Sequence, residues 1–422
     1  KCMQIREPKK HESLFLWNHW EKKLDNTRII TYIKDGVLAD ALYEDGHMIE
    51  LSLLSKEKES ILGNIYIGKV KNIVKNIQAA FVEIEPGMLC YLPLEDVTNP
   101  VYLHPKAKPT LVQGDELLVQ VSREAVKTKA PSVTTKFSLT GKYLVLTHGN
   151  ETIGFSGKLD SPEKNRLKAW TAGLKLPDEV GIIVRTNASG VTEEELNREY
   201  RHLEEQYRYL SQQAIHRSVY SCVFQNRPAY LGSVLGSRSE SLKEIITDDE
   251  KIYEEIRQFL QEEMPGDEAK LRLYEDRMLP LKALYRMEKG LSEALAERVW
   301  LKSGGYLVIE ATEALTVIDV NTGKCIAGKD KQATIRKIDQ EAALEIARQL
   351  RLRNLSGIIL VDFVDMTEPG ADEELLAFMQ KLLKKDPQKS AAVDMTALGL
   401  MELTRKKQKK TLKEQAKECG IL

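Results

Sequence analysis

Apolar positions along this chain change their spacing several times. Residues 28–61 read as strands: RIITYIKDGVLADALYED holds apolar runs broken by KDG. Residues 62–130 are different in character. GNIYIGKVKNIVKNIQAAFVEI alternates and is rich in Ile and Val, and PGMLCYLPLEDV and GDELLVQVSRE follow. Short strands separated by Gly and Pro turns predict a small closed barrel. Residues 131–215 are mixed, with KYLVLTH and VGIIVRT reading as strands. The polar stretch TEEELNREYRHLEEQYRYLSQQ reads as a helix, with Thr192 as N-cap and Glu195 three positions on, a capping-box pattern.

Residues 216–290 resume a strand and helix pattern. DDEKIYEEIRQFLQEE spaces Ile252, Ile256 and Leu260 at helical intervals. From GGYLVIEATEALTVIDV onward the order becomes strand, strand, long helix, strand. The helix KQATIRKIDQEAALEIARQLRLR places Ile335, Ile338, Ala342, Ile346 and Leu350 on one face. Gly357 then precedes IILVDFV, and this last region predicts an α/β layer domain. There is no internal repeat and no low-complexity linker.

Composition adds limits. The chain has 422 residues, room for roughly three ordinary domains. A hydrophobic content of 42% with 30% charged residues is that of a soluble globular protein. No apolar run approaches the roughly 18 residues of a membrane span. Residues 1–27 are charged, lack a signal-peptide core and are left unassigned, although LFLWNHW is suited to packing on a neighbouring element or a partner. The cysteines Cys2, Cys90, Cys222, Cys325 and Cys419 are scattered without a CxxC pair. That argues against a disulfide scaffold or an internal zinc site and fits a reducing cytoplasm. The formal net charge is −1, so any nucleic-acid binding must come from local patches.

Two apolar strands carry carboxylates: ALTVIDVNTG has Asp319 and Asn321, and SGIILVDFVDM has Asp362. Positions i and i+2 of a strand share a side, which puts Asp319 with Asn321. The apolar run on both sides of Asp362 predicts a strand covered on both faces. Burying an unpaired carboxylate is costly, so such groups are paired, protonated or bound to metal. Two aspartates and an amide oxygen suit Mg²⁺, which takes hard oxygen ligands and keeps room for water and phosphate. Residue types alone equally fit strand-end aspartates that cap helices or bond backbone. No histidine occurs after His216, so the C-terminal half lacks a histidine acid–base pair and would need a metal-activated water for hydrolysis.

At these residues the chain resembles the ribonuclease E/G family. GGYLVIEATEALTVIDVNTG, LEIARQLRLRNLSGIILVDFVDM and GLMELTRKK resemble its catalytic segments. GNIYIGKVKNI, QAAFVEI and GMLCYLPL resemble its RNA-binding barrel, and VGIIVRTNA its segment for sensing RNA ends. The resemblance covers roughly residues 28–418 in order, and the length of the chain points to the shorter ribonuclease G-like form. It implies an α/β, α+β multidomain fold: an RNase H-like subdomain (28–61 and 216–290) interrupted by an OB-type barrel (62–130) and a 5′-sensor region (131–215), then a deoxyribonuclease-I-like catalytic subdomain (291–411). It also implies a Mg²⁺-dependent endoribonuclease, with Mn²⁺ as a possible substitute. The enzyme would cut single-stranded, AU-rich RNA to 5′-phosphate and 3′-hydroxyl ends in rRNA processing and mRNA decay. The competing class is a non-catalytic RNA-binding or assembly protein of the same fold.

The resemblance carries roles to particular residues. Asp319 and Asp362 fall on the two magnesium-binding aspartates, at the family's spacing of 43 residues, and Asn321 on the asparagine that assists them. Phe81 and Tyr91 fall on two RNA-facing aromatics and Lys129 on a lysine of the same surface, as single-strand recognition by stacking and positive charge requires. From its pattern alone, Phe81 also reads as core. Arg185 and Thr186 match the 5′-phosphate-sensing pair, and Gly141 and Val145 match positions lining that pocket. Arg185 alone also reads as an exposed strand-end arginine. Lys389 stands where the family often has a further pocket arginine, and lysine lacks the planar fork. TRKKQKK (404–410) holds five positive charges in seven residues and reads equally as a solvated helix face or as an RNA-backbone contact.

There is one departure. Many members carry a CPxC motif beyond the catalytic region, through which two chains share a zinc. Residues 412–422 read as a tail in which Cys419 begins the string CGIL. One thiolate per chain falls short of a four-ligand site, so no complete zinc link is expected and any homodimer forms another way.

Overall fold

A computed structural model describes residues 26–55, 60–104, 106, 110–125, 130–237, 242–323, 331–407 and 409–422. The chain divides into two compact units. One takes residues up to 56, 237–255 and 269–422; the other takes 57–236 and 256–268.

The first unit holds two sheets. In one, Asn26–Lys34, Val37–Glu44 and His47–Ser55 form an antiparallel meander. Leu242–Thr247 then adds parallel to Asn26–Lys34, and Leu271–Leu273 adds parallel to Leu242–Thr247. The KDG break supplies the first turn, as its pattern predicts. One side of this sheet buries Ile29, Ala39, Ala41, Leu51 and Ile246 against Leu281, Met287, Leu291, Leu412 and Ala416. Leu412 and Ala416 belong to a helix, Leu412–Glu418, begun by a capping box of Thr411 and Glu414. The segment expected as a C-terminal tail is therefore a docked helix. Its two buried apolar residues, four apart, fix one face in the core.

The second sheet has six strands in the order Arg298–Trp300, Tyr306–Ala311, Leu315–Asn321, Gly357–Asp362, Leu400–Arg405, Ser390–Met395. Leu315–Asn321 and Gly357–Asp362 run parallel, joined by the helix Lys331–Leu352; the other neighbours are antiparallel. That helix and Ala371–Leu383 cover one face. The stripe Ile335, Ile338, Ala342, Ile346 and Leu350 is buried as its spacing predicts, and all but Ile335 join Ile318, Val320, Ile359, Val361 and Leu403 in one core. The other face is open: Ile358 is 54% and Val317 36% exposed, and Asp319 and Asp362 are exposed. The expectation of a strand covered on both faces is thus wrong for Gly357–Asp362. Its apolar run is continuous in sequence, but burial alternates residue by residue.

The string IARQLRLRN ties the long helix down. Arg348 donates to the carbonyl of Met48 at 2.7 Å, Arg351 to Glu50 at 2.8 Å, and Arg353 to the carbonyl of Ala296 at 2.7 Å. Arg28 and Asp40, both buried, pair at 2.6 Å beside Glu50.

In the second unit, Ile65–Val74, Ala79–Glu85, Met88–Pro93, Ser132–Thr134 and Glu116–Arg123 form a closed five-stranded barrel, since the last also pairs with the first. Its interior is Val70, Ala80, Val82, Ile84, Cys90, Leu92, Val119 and Val133. A four-stranded sheet follows, in the order Ile153–Phe155, Val180–Val184, Leu144–His148, Ser138–Thr140. It packs on the helices Ser161–Ala172 and Glu193–Arg208 through Leu146, Ile182, Leu167, Leu196 and Leu203. Thr192 caps the second helix by accepting from the Glu195 N–H, as expected. Among the described residues no helix is long and apolar enough to cross a membrane.

Candidate active site and RNA-facing surfaces

Asp319 and Asp362 stand directly beside each other. They are register partners on adjacent parallel strands, a spacing of about 4.8 Å, with both side chains on the open face. Asn321 is on the same side and its Nδ2 donates to Asp319 Oδ2 at 2.6 Å. Local backbone packing fixes this end of the strand. A Cβ on Gly305 would come within 2.7 Å of the Asn321 carbonyl, and one on Gly323 within 2.5 Å of the Gly304 carbonyl. The glycines of SGG and NTG therefore let two backbones lie against each other under the site.

The pair is electrostatically loaded. Partial burial pushes the Asp362 carboxyl up, and the nearby charges of Asp319 and Asp365 push it further. A divalent cation is the species that relieves this. Two carboxylates and an amide oxygen at one point of an open surface are a hard-oxygen donor set that leaves several positions free, which fits Mg²⁺. Among the described residues no cluster of three or more His, Cys, Asp or Glu could hold a metal, and the described donor set here is two carboxylates and the Asn321 amide.

Sequence reading missed a residue beneath this site. Asp339, on Lys331–Leu352, is fully buried, and its Oδ1 accepts from the Val364 N–H at 3.1 Å, two residues past Asp362. Its Oδ2 has no hydrogen-bond partner among the described residues. Burial raises its carboxyl to about 7, opposed by the Val364 N–H and reinforced by Asp372 and Asp365. The signal was available: Asp339 directly follows Ile338 of the buried stripe, where a charge is out of place.

In the second unit, Phe81 and Tyr91 are cross-strand partners on the barrel, ring centroids 6.2 Å apart and edge to face. Both are half-buried, while Ala80, Val82, Cys90 and Leu92 fill the interior. Phe81 is thus an outward residue of the barrel wall. Lys129 lies outside the described residues.

Arg185 follows the strand Val180–Val184. Its backbone N–H bonds the Tyr143 carbonyl, and its Nη1 donates to the Gly141 carbonyl at 2.5 Å. Burial pushes its guanidinium down from its ordinary value, with the charge of Glu199 opposing. Thr186 Oγ1 and Ser156 Oγ are 2.7 Å apart, and Val145 pairs with Ile183 one strand away. Glu199 was also missed. Its carboxylate accepts from the N–H groups of Lys142, Tyr143 and Leu144 at 2.8–3.0 Å. A Cβ on Gly141 would fall 2.4 Å from Glu199 Oε1. The glycine therefore leaves room for this internal carboxylate, a constraint that sequence reading, which placed Gly141 only among the pocket-lining positions, did not see.

The basic run is not a helix face. Thr404 and Arg405 end a strand, and Arg405 is buried, bonding Asp386 at 2.7 Å and Asn354 at 2.9 Å. Lys410 pairs with Glu418. Lys389 precedes Ser390–Met395 in the first unit, whereas Arg185 is in the second.

A model of the ribonuclease E/G family matches residues 138–408, more than half of the chain and including the aspartate pair. The chain belongs to the ribonuclease E/G family. It is 33% identical to ribonuclease G of Haemophilus influenzae over 92% of its own length and 81% of that protein's. It is likewise 33% identical to ribonuclease G of Escherichia coli K12, over 88% and 78%. Against ribonuclease E of a Nostoc species it is 34% identical over 89% of its length but only 55% of the relative's. Membership of the ribonuclease E/G family gives the pair Asp319 and Asp362 a chemical context, which the geometry alone leaves as a paired-carboxylate site.

Proposed function

We propose that this protein is an endoribonuclease that hydrolyses phosphodiester bonds of single-stranded RNA at Asp319 and Asp362 with a divalent cation, Mg²⁺ or Mn²⁺. The observation that carries the reading is the register match of the two aspartates on an open face, with Asn321 bonded to the first. Asp319 and Asp362 would hold the cation, and the Asn321 amide, bonded to Asp319, would keep that carboxylate turned toward it. The chemistry such a cation would supply there is activation of water and neutralisation of charge on the phosphate. Direct attack of water on phosphorus leaves a 5′-phosphate and a 3′-hydroxyl. Asp339 keeps the backbone after Asp362 in place.

In this reading Phe81 and Tyr91 stack on bases of the bound strand, Lys129 adds positive charge for its backbone, and Arg185 and Thr186 contact a 5′-monophosphate, with Gly141 and Val145 framing the pocket. AU-rich substrates, roles in rRNA processing and mRNA decay, and a cytoplasmic setting belong to the same reading, as does assembly as a homodimer. The test is cleavage of a short AU-rich RNA bearing either a 5′-monophosphate or a 5′-hydroxyl, with Mg²⁺. Wild type should cut both, the monophosphate faster, and Asp362→Ala should cut neither. RNA binding without Mg²⁺-dependent cutting by wild type would make it a non-catalytic RNA-binding protein.

A further inference from the structure

The open face of the six-stranded sheet does not stop at the aspartates. Strand register carries it outward in two rows. One row runs Asp362, Asp319, Val308, Arg298, and the next runs Asn321, Tyr306, Trp300. Directly opposed residues of neighbouring strands present their side chains to the same face. Val299 and Leu307, between them, point to the core side. Trp300 is 65% exposed, an unusual position for the largest apolar side chain. It is not isolated. Its ring lies 5.3 Å from that of Tyr306, and the Arg298 guanidinium sits 4.4 Å from the Tyr306 ring and 5.9 Å from that of Trp300. The contacts of Arg298 are with these two aromatic rings.

We propose that Arg298, Trp300 and Tyr306 form a base-stacking platform for the RNA nucleotide flanking the scissile phosphate. The inference rests on the nuclease reading above and adds a substrate-positioning subsite to it. Two strand spacings separate Trp300 from Asn321, about 10 Å, which is within reach of a neighbouring nucleotide of a strand whose phosphate lies at the aspartates. The chemistry suits single-stranded RNA. Every base offers a π face to Trp300, and the arginine adds positive charge for the backbone and a cation–π contact. The carboxylates alone would repel a phosphodiester, so a cation beside them also helps the strand approach. A protein partner would find this apolar patch bordered by Asp319 and Asp362, which it would have to desolvate.

The test compares wild type, Trp300→Ala and Trp300→Phe on a short 5′-hydroxyl RNA in which each nucleotide near the cut is made abasic in turn. Trp300→Ala should lower kcat/KM about tenfold on the intact RNA, and Trp300→Phe should retain most activity. One abasic position should cost wild type the same factor and cost Trp300→Ala nothing further. Equal losses in both proteins at every position would overturn the platform. So would unchanged cleavage by Trp300→Ala, including the case where its sedimentation shows a lost dimer. To keep this separate from the nuclease reading, binding of a 2-aminopurine-labelled RNA is measured in Asp362→Asn. Quenching present with Trp300 and absent in Trp300→Ala supports the platform even where no cleavage is seen.

Discussion

Two buried carboxylates, one in each unit, support the segments on which function is proposed to depend, and they do so unequally. Glu199 holds the loop before Leu144 with three backbone N–H bonds, next to Gly141 and Arg185. Asp339 holds the backbone after Asp362 with one, and its second oxygen is without a hydrogen bond among the described residues. Burial raises both carboxyls, but the three N–H groups oppose this at Glu199 where a single one does so at Asp339. A buried carboxylate satisfied on both oxygens is a rigid strut. One left half-satisfied is a strut whose strength depends on its proton.

The largest effects should separate the two regions by function. Asp362→Ala should lower Mg²⁺-dependent cleavage by about a thousandfold or more, because the cation loses half of its carboxylate set, while preferential binding of 5′-monophosphorylated RNA persists. Arg185→Ala should do the reverse, cutting 5′-monophosphate and 5′-hydroxyl RNA at equal rates. Single-turnover rates and filter binding on the same RNA pair measure both. If either variant loses both properties, the two regions are not functionally separable.

Next in size is the strut itself. Glu199→Ala leaves the N–H groups of Lys142, Tyr143 and Leu144 without their acceptor and should destabilise the protein by about 2–4 kcal/mol in urea. Glu199→Gln keeps the shape and should recover part of that. A loss below about 0.5 kcal/mol for Glu199→Ala would mean that water replaces the carboxylate and that the loop does not depend on it.

The smallest effect is a pH dependence. Asp339 ionises near its ordinary value of 3.8 when unfolded and at about 7 when folded. Between those values the folded state holds a proton that the unfolded state has lost, so stability falls as pH rises from about 4 to about 7. Asp339→Asn cannot ionise and should flatten that slope, by an amount on the order of 1–3 kcal/mol between pH 5 and pH 7.5. Chemical denaturation at the two pH values reads it. Parallel slopes in wild type and variant would place the pH response elsewhere.

How much of this was legible in the sequence depended on separation along the chain. Periodicity located the strands of 28–55, the long helix stripe and the barrel, because each is a local pattern. The pairing of Phe81 with Tyr91 follows from a hairpin, yet alternation in NIQAAFVEI was too weak to choose a face. The aspartates were visible as residue types out of place. Their side-by-side register, and the fact that their face is open, depend on a parallel pairing across a 22-residue helix and could not be read locally. Arg405 was misread because five cations in seven residues suggest a surface, whereas its partners Asp386 and Asn354 come from elsewhere in the chain. Glu199 and the arginines of IARQLRLRN were passed over for the same reason: their partners are backbone N–H groups, for Glu199, and backbone carbonyls or a distant carboxylate, for the arginines, and no motif records them.

The assembly of the first unit from three separated pieces of chain sets an order of events during synthesis. Every piece of the second unit has been made by residue 268, so the barrel and the four-stranded sheet can close while later residues are still being added. The strand His47–Ser55 must wait for Leu412 and Ala416 to complete its core. Asp319 and Asp362 gain their full sheet only when Leu400–Arg405 pairs beside them. If the barrel holds RNA and Asp319 and Asp362 cut it, as proposed, a nascent chain gains its grip on RNA well before its cleavage site, which is completed as one of the last acts of folding.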